Sequence, residues 1–244
     1  MDKDLIPIGL VAKKLGVTPA TLRRWDKNGK LRSIKQPSGR YYYDAIEIDL
    51  ISKDIYTFAK KWITAEHPEN INNSYFCVDN AIFQTRLQKL ERELQEIDAL
   101  KNDFSFITSI VGEIGNNSFD HNLGSWPDVR GILFMYDLKK RQIVLADRGH
   151  GILSTLKRVR PKLKNDKEAL LMAFTEKISG RAPENRGNGL KYVKRVIIED
   201  SKKIFIKLVF QTGQATLNLK YGDSILDIKN TTQSLRGCLA FISF

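Results

Sequence analysis

Apolar residues Ile8, Val11, Ala12 and Leu15 recur at helical spacing, and Gly16-Val17 breaks the run. Thr18 before Pro19 reads as an N-cap with proline at the first helical position, so a second short helix is predicted from Pro19 to about Asp26. Leu31 to Lys35 and Arg40 to Tyr43 flank the turn residues Gln36-Pro37-Ser38-Gly39, which predicts a small β-hairpin. Asp44 with Glu47 forms a capping-box-like start, and Ile48, Ile51, Ile55, Phe58 and Trp62 continue a helical stripe. His67 to Ser74 is polar and turn-rich, the pattern of a linker.

Beyond it, Phe83, Leu87, Leu90, Leu94 and Ile97 alternate by four and three along a charged helix from Asn80 to Lys101. Such a stripe either pairs two subunits or packs against its own domain. Asn102-Asp103 interrupts, and a helix follows from Phe104 to Asn122. Arg130 to Tyr136 and Gln142 to Ala146 read as strands around the turn Leu138 to Arg141. A helix is predicted from about Lys167 to Glu176, another after Gly189, a hairpin over Ile204–Phe210 and Ala215–Lys220 turning at Thr212-Gly213, and a last strand from Cys238 to Phe244. The domains expected are 1–66, a linker at 67–78, and 79–244.

Composition narrows the class. The 244 residues suffice for two small cores, and a net charge of +12 favours a polyanionic partner such as nucleic acid. Part of that charge, Lys157, Arg158, Arg160, Lys162 and Lys164, lies in the segment between Ile152 and Arg186, where a basic lid is an equal explanation. Two cysteines, Cys77 and Cys238, give no disulfide framework and suit a reducing cytoplasm. No apolar run approaches the roughly 18 residues of a membrane span. Met1-Asp2-Lys3-Asp4 lacks a signal peptide's basic-then-apolar pattern.

Three short motifs carry the chemistry. In Glu113-Ile114-Gly115-Asn116-Asn117, spacing by four puts Glu113 and Asn117 on one helix face. Asp147-Arg148-Gly149-His150-Gly151 places an acid at a strand end, followed by glycines that admit a ligand. Arg186-Gly187-Asn188-Gly189-Leu190 opens a helical pattern, where free backbone N–H groups favour phosphate.

In order and spacing these motifs resemble the GHKL superfamily of ATP-binding domains, the Bergerat fold, from about Phe104 onward. The resemblance implies an α/β sandwich with a mixed sheet and helices on one face, binding ATP with Mg²⁺. By that likeness Asn117 coordinates the metal, Asp147 accepts from the adenine amino group, and Gly149 and Gly151 admit base and sugar. Gly187, Gly189 and Leu190 hold the phosphates under a flexible lid; apart from the likeness, Arg181 and Arg186 flank a Ser-Gly and Pro-Glu-Asn stretch from which either can reach the terminal phosphate. Asp120 stands where the family often has a second site acid, and Glu113 where its hydrolysing branches carry the general base. Cys238 replaces the threonine that often follows glycine near the adenine. His121 is expected to be a plain polar helix residue.

The stretch Ile6 to Tyr43, with V-A-K-K-L-G-V-T-P-A-T-L-R-R-W-D and P-S-G-R-Y-Y, resembles the MerR-type winged helix-turn-helix module. That resemblance implies contacts to double-stranded DNA from Arg23, Arg24 and the wing residue Arg40. Thr21 faces outward on the same helix, and Trp25 is read as core. The class expected is therefore α+β, a winged helix-turn-helix followed by a Bergerat sandwich. The function expected is that of a cytoplasmic DNA-binding regulator that binds and slowly hydrolyses ATP, the nucleotide controlling lid order and contact with a second copy or a protein partner. A serine kinase of the anti-sigma-factor type and a non-hydrolysing ATP-bound interaction module are the rivals.

Overall fold

The computed structural model describes residues 5–28, 31–45, 48, 54–68, 71, 74–122, 125–176 and 189–244. The chain forms two compact units, Met1–Phe58 and Ala59–Phe244. The architecture is α+β, with an N-terminal helix-turn-helix and a separate sheet domain with helices.

In the first unit the helices α1 (Ile8–Leu15) and α2 (Pro19–Lys27) follow strand β1 (Leu5–Pro7) and precede β2 (Ile34–Lys35) and β3 (Tyr41–Asp44). Gly16 ends α1 at φ +65°, the left-handed conformation that glycine adopts without a Cβ clash. The Thr18 side chain accepts from the Thr21 N–H at 3.1 Å, the cap that starts α2. The predicted hairpin is a three-stranded antiparallel sheet in the order β1-β3-β2; three residues are too few for β1 to leave a readable alternation. Val11, Ala12, Leu22, Leu31, Tyr43 and Ile48 form the core, with Trp25 packed against it.

The helical stripe from Asp44 to Trp62 is not continuous. Asp54 interrupts it, because its carboxylate accepts from the Thr57 N–H at 2.9 Å and from the Thr57 hydroxyl at 2.7 Å, starting α3 (Ile55–Thr64).

The second unit is built on a five-stranded sheet in the order β4-β5-β6-β8-β7. Its strands are β4 (Phe76–Cys77), β5 (Ile132–Asp137), β6 (Gln142–Asp147), β7 (Lys207–Lys220) and β8 (Asp227–Ser243). A mixed sheet was expected, but every described pairing is antiparallel. The predicted turn at Thr212-Gly213 is a β-bulge inside β7, with Gly213 at φ +50° and the Asp166 carboxylate where its Cβ would stand. The hairpin instead turns between Lys220 and Asp227, so β8 starts well before Cys238.

Helix α4 (Asn80–Gln95) buries Phe83, Leu90 and Leu94 in the domain core. Its partner is α5 (Phe104–Asn122), where Gly115 sits beneath the Phe83 ring. The four-and-three stripe is thus consumed within the domain. Helices α6 (Gly151–Lys157), α7 (Asp166–Thr175) and α8 (Gly189–Arg195) complete the unit, and α8 runs into a π turn at Val196–Asp200. One sheet face, with Phe134, Ile143, Leu145, Ala240 and Phe210, joins the helices in one core. No helix among the described residues is long and apolar enough to cross a membrane.

Candidate functional site

Helix α5 brings Glu113 and Asn117 to one face, and the first residue of α8 closes on both. A Cβ on Gly189 would stand 2.5 Å from Glu113 Oε2 and 3.2 Å from Asn117 Nδ2, so any larger residue must push these side chains aside. The first and third motifs therefore meet. Burial raises the Glu113 pKa above the usual carboxylate range, and the neighbouring Asp120 charge adds to it. A carboxyl moved toward neutrality is a better base at physiological pH than a solvated one.

The second motif joins through a residue the motifs did not single out. Ser118 follows Asn117 on α5 and donates its hydroxyl to Asp147 Oδ2 at 2.8 Å. The Gly149 N–H donates to Oδ1 at 2.9 Å, and the Cys238 N–H is a further donor to the carboxylate. Asp147 is the last residue of β6, pairs in register with Cys238 of β8, and is 2 % exposed. Burial pushes its pKa up to about 6, and the hydrogen bonds hold it from rising further. With about four lone-pair positions, the carboxylate keeps capacity for another donor.

The loop after Asp147 is tied down on both sides. Asn122 Oδ1 accepts the His150 N–H at 2.9 Å, while its Nδ2 donates to the Ser118 carbonyl at 2.8 Å. Gly149 lies on that amide, where any Cβ would collide with it. Gly151, at φ +73°, starts α6; Thr212 Oγ1 accepts from the Ile152 N–H at 3.1 Å and donates to the Gly237 carbonyl at 3.0 Å. The Cys238 thiol lies 3.7 Å from the same hydroxyl, and burial raises its pKa, which disfavours the thiolate.

Glu113, Asn117, Asp120, Asp147, Gly149, Gly151, Gly189 and Leu190 all belong to this neighbourhood, Leu190 as a half-buried contact to the core. Arg181, Arg186 and Gly187 lie outside the described residues. Ser118, Asn122 and Thr212 were missed. Ser118 and Asn122 are four apart on a neighbouring row of the same helix, off the Glu113/Asn117 row that the motif marked, and Thr212 had no signal. Among the described residues no three His, Cys, Asp or Glu gather to hold a metal.

The first unit carries a separate surface. Arg23 and Arg24 are exposed on α2, and Arg40 is exposed at the end of the turn, where Gly39 has φ +77°. Thr21, an expected DNA contact, shares its hydroxyl with Thr18 Oγ1 at 3.0 Å. The Arg23 guanidinium lies 5.8 Å from the Tyr41 ring centre and Lys35 Nζ 5.7 Å from the same centre, so one aromatic joins the helix and wing cations. Lys35 was not among the predicted contacts. Asp26 fixes α2 to the chain before β2, accepting from the Ser33 N–H at 2.9 Å and from its hydroxyl at 2.6 Å. Those bonds, the hydroxyl first, hold the Asp26 carboxyl below its ordinary pKa.

Residues 7–43 match the family model of the MerR family regulatory proteins. No curated protein matches the chain at a significant level. The match coincides with the helix-turn-helix and its wing, and it supports a DNA-binding regulator.

Proposed function

We propose that the second unit binds Mg-ATP in the manner of a Bergerat domain and that the chain is an ATP-responsive DNA-binding regulator. The observation that carries this is the junction at α5. Glu113 and Asn117 stand against Gly189 while Ser118 holds Asp147, so three separated motifs converge on one helix. The donor set fits an adenine nucleotide. A buried acceptor carboxylate at Asp147 suits an exocyclic amino group, and the Asn117 amide oxygen suits a hard cation that shares its coordination with phosphate oxygens.

Bound Mg-ATP supplies an electrophilic terminal phosphoryl group. Glu113 would take a proton from the attacking water, with burial first and the Asp120 charge second raising its pKa toward that role. Asn117 would hold the cation, and Gly189 packs the start of α8 against Glu113 and Asn117. Glu113→Ala is expected to lower phosphate release about a hundredfold and to leave ATP affinity within a few-fold, read by phosphate assay beside calorimetry. Equal turnover in wild type and variant would remove Glu113 from the chemistry. Radiolabel accumulating on a partner protein, with little free phosphate, would assign the site to kinase chemistry instead.

DNA binding through α2 and the wing follows from exposed Arg23, Arg24 and Arg40 with Lys35. The double variant Arg23→Ala/Arg24→Ala is expected to weaken duplex binding and to lower the log–log salt slope by about one for each phosphate it no longer neutralises. Unchanged retention of the variant on duplex DNA across a salt titration would give α2 a protein partner instead.

A further inference from the structure

Arg148 sits between two site residues, Asp147 and Gly149, yet its side chain is fully buried and committed elsewhere. Nε donates to Asp128 Oδ2 at 2.7 Å, and Nη2 lies 2.5 Å from the same oxygen. Nη1 donates to three carbonyls: Trp62 at 3.0 Å, Ile63 at 2.9 Å and Ala65 at 2.8 Å. The guanidinium carbon is also 5.9 Å from the Trp62 ring centre. These carbonyls end α3, where helix C=O groups lack intrahelical partners and a cation is favoured. Arg148 is therefore a C-cap delivered by the candidate nucleotide loop to a helix 83 to 86 residues earlier in the chain.

Stability alone does not explain it. A buried ion pair is often no better than well-packed apolar groups of the same volume, because desolvating the charges offsets their attraction. What the arrangement does provide is a connection. The peptide unit that follows Arg148 carries the Gly149 N–H bond to the Asp147 carboxylate, and the loop continues to the His150 N–H bond with Asn122. A ligand donor on the Asp147 carboxylate competes with the Gly149 N–H, and so acts on the peptide unit next to Arg148.

We propose that Arg148 couples occupation of the Asp147 site to the end of α3, so that nucleotide binding changes how firmly the carbonyls of Trp62, Ile63 and Ala65 are held. The proposal rests on the nucleotide reading above. Linkage makes it reciprocal: weakening the α3 end changes nucleotide affinity by the same factor. The boundary between the two compact units falls within α3, so the coupling acts on the helix through which the chain leaves its DNA-binding unit.

Trp62 is a built-in reporter, because the arginine lies against its ring. With Trp25→Phe and Trp126→Phe, the other two tryptophans are removed and Trp62 emission is read alone. Titrating this protein with a non-hydrolysable Mg-ATP analogue should change Trp62 emission with the midpoint found by calorimetry, and should alter amide exchange over 62–65. Arg148→Lys keeps a charge but loses the planar fork. It should still show calorimetric binding, shifted at least about fivefold, while the Trp62 response falls away. Arg148→Met removes the charge as well and should lose the response entirely; if it does not fold, Arg148→Lys carries the test. Calorimetric binding without a Trp62 or exchange response overturns the coupling and leaves the nucleotide reading intact. So does a full Trp62 response in Arg148→Lys. No heat with the analogue overturns both.

Discussion

Asp147→Asn should lose ATP affinity and, at neutral pH, gain stability. The two effects have one cause. The carboxyl titrates near pH 6 in the folded protein against an ordinary 3.8, so the fold favours its neutral form. The contribution this group makes to stability is complete below pH 3.8 and is lost as pH rises through about 6. At pH 7.5 the ionised carboxylate therefore costs on the order of 3 kcal/mol. Asparagine has the same shape and no charge. The Ser118 hydroxyl, free to turn, accepts from the new amide where it donated to the carboxylate. Thermal or urea denaturation should find the variant more stable than wild type at pH 7.5, with the difference vanishing toward pH 4.

Nucleotide binding moves the other way. In the proposed nucleotide site an asparagine NH₂ would oppose the adenine amino group, donor against donor, an error worth roughly 1–3 kcal/mol beyond the missing hydrogen bond. Calorimetry should show ATP affinity falling a hundredfold or more. Wild-type affinity for adenosine, which has no phosphate to titrate, should also fall as pH drops below about 6, where the carboxyl of the free protein protonates. A variant that binds ATP like wild type, or is less stable at pH 7.5, contradicts the assignment of Asp147. A buried carboxylate that destabilises its own fold is otherwise hard to account for, and that is why its two readouts are informative together.

The sequence made some of this legible and hid the rest for identifiable reasons. Helix α5 was readable to both ends, since its apolar positions and the Glu113/Asn117 spacing all obey one period. Asp147 was readable because a short apolar strand must end where polar and glycine residues begin. The bulge at Gly213 was not, because a glycine after Thr212 carries the same signal for a kink as for a turn. Residues 227–234 of β8 were not, since Lys229, Asn230, Thr232, Gln233 and Ser234 are exposed and give no alternation. Neither was the role of Arg148. In the motif it occupies the variable position between Asp147 and Gly149, and its partners, Asp128 and the α3 carbonyls, are joined to it only by the fold. Local periodicity reports which face is buried; it carries no information about a side chain whose partners lie far away in sequence.

Gly237→Ala should be the most damaging single methyl in the second unit, and Gly16→Ala is its control. Both glycines are left-handed, at φ +71° and +65°, so a Cβ costs the backbone about 1 kcal/mol at either position. Around Gly16 nothing lies within 4 Å of the added carbon, and the effect should stop there. Around Gly237 the new carbon collides with the Asp147 carbonyl, stands 2.5 Å from Asp147 Oδ1 and 2.6 Å from the Gly149 nitrogen. Backbone cannot rotate aside as a flexible side chain does, so the strand pairing at Asp147 and Cys238 must open to make room. Opening it also withdraws the Cys238 N–H from the carboxylate and disturbs the Thr212 bond to the Gly237 carbonyl. The expected cost is roughly 3 kcal/mol or more, read as a lower urea midpoint. Whatever fraction stays folded in the cold should no longer bind ATP, because the Asp147 loop is no longer seated. Equal midpoints for the two variants would mean that the crowding at Gly237 is relieved at little cost, and that the Asp147 loop is softer than its hydrogen bonds imply.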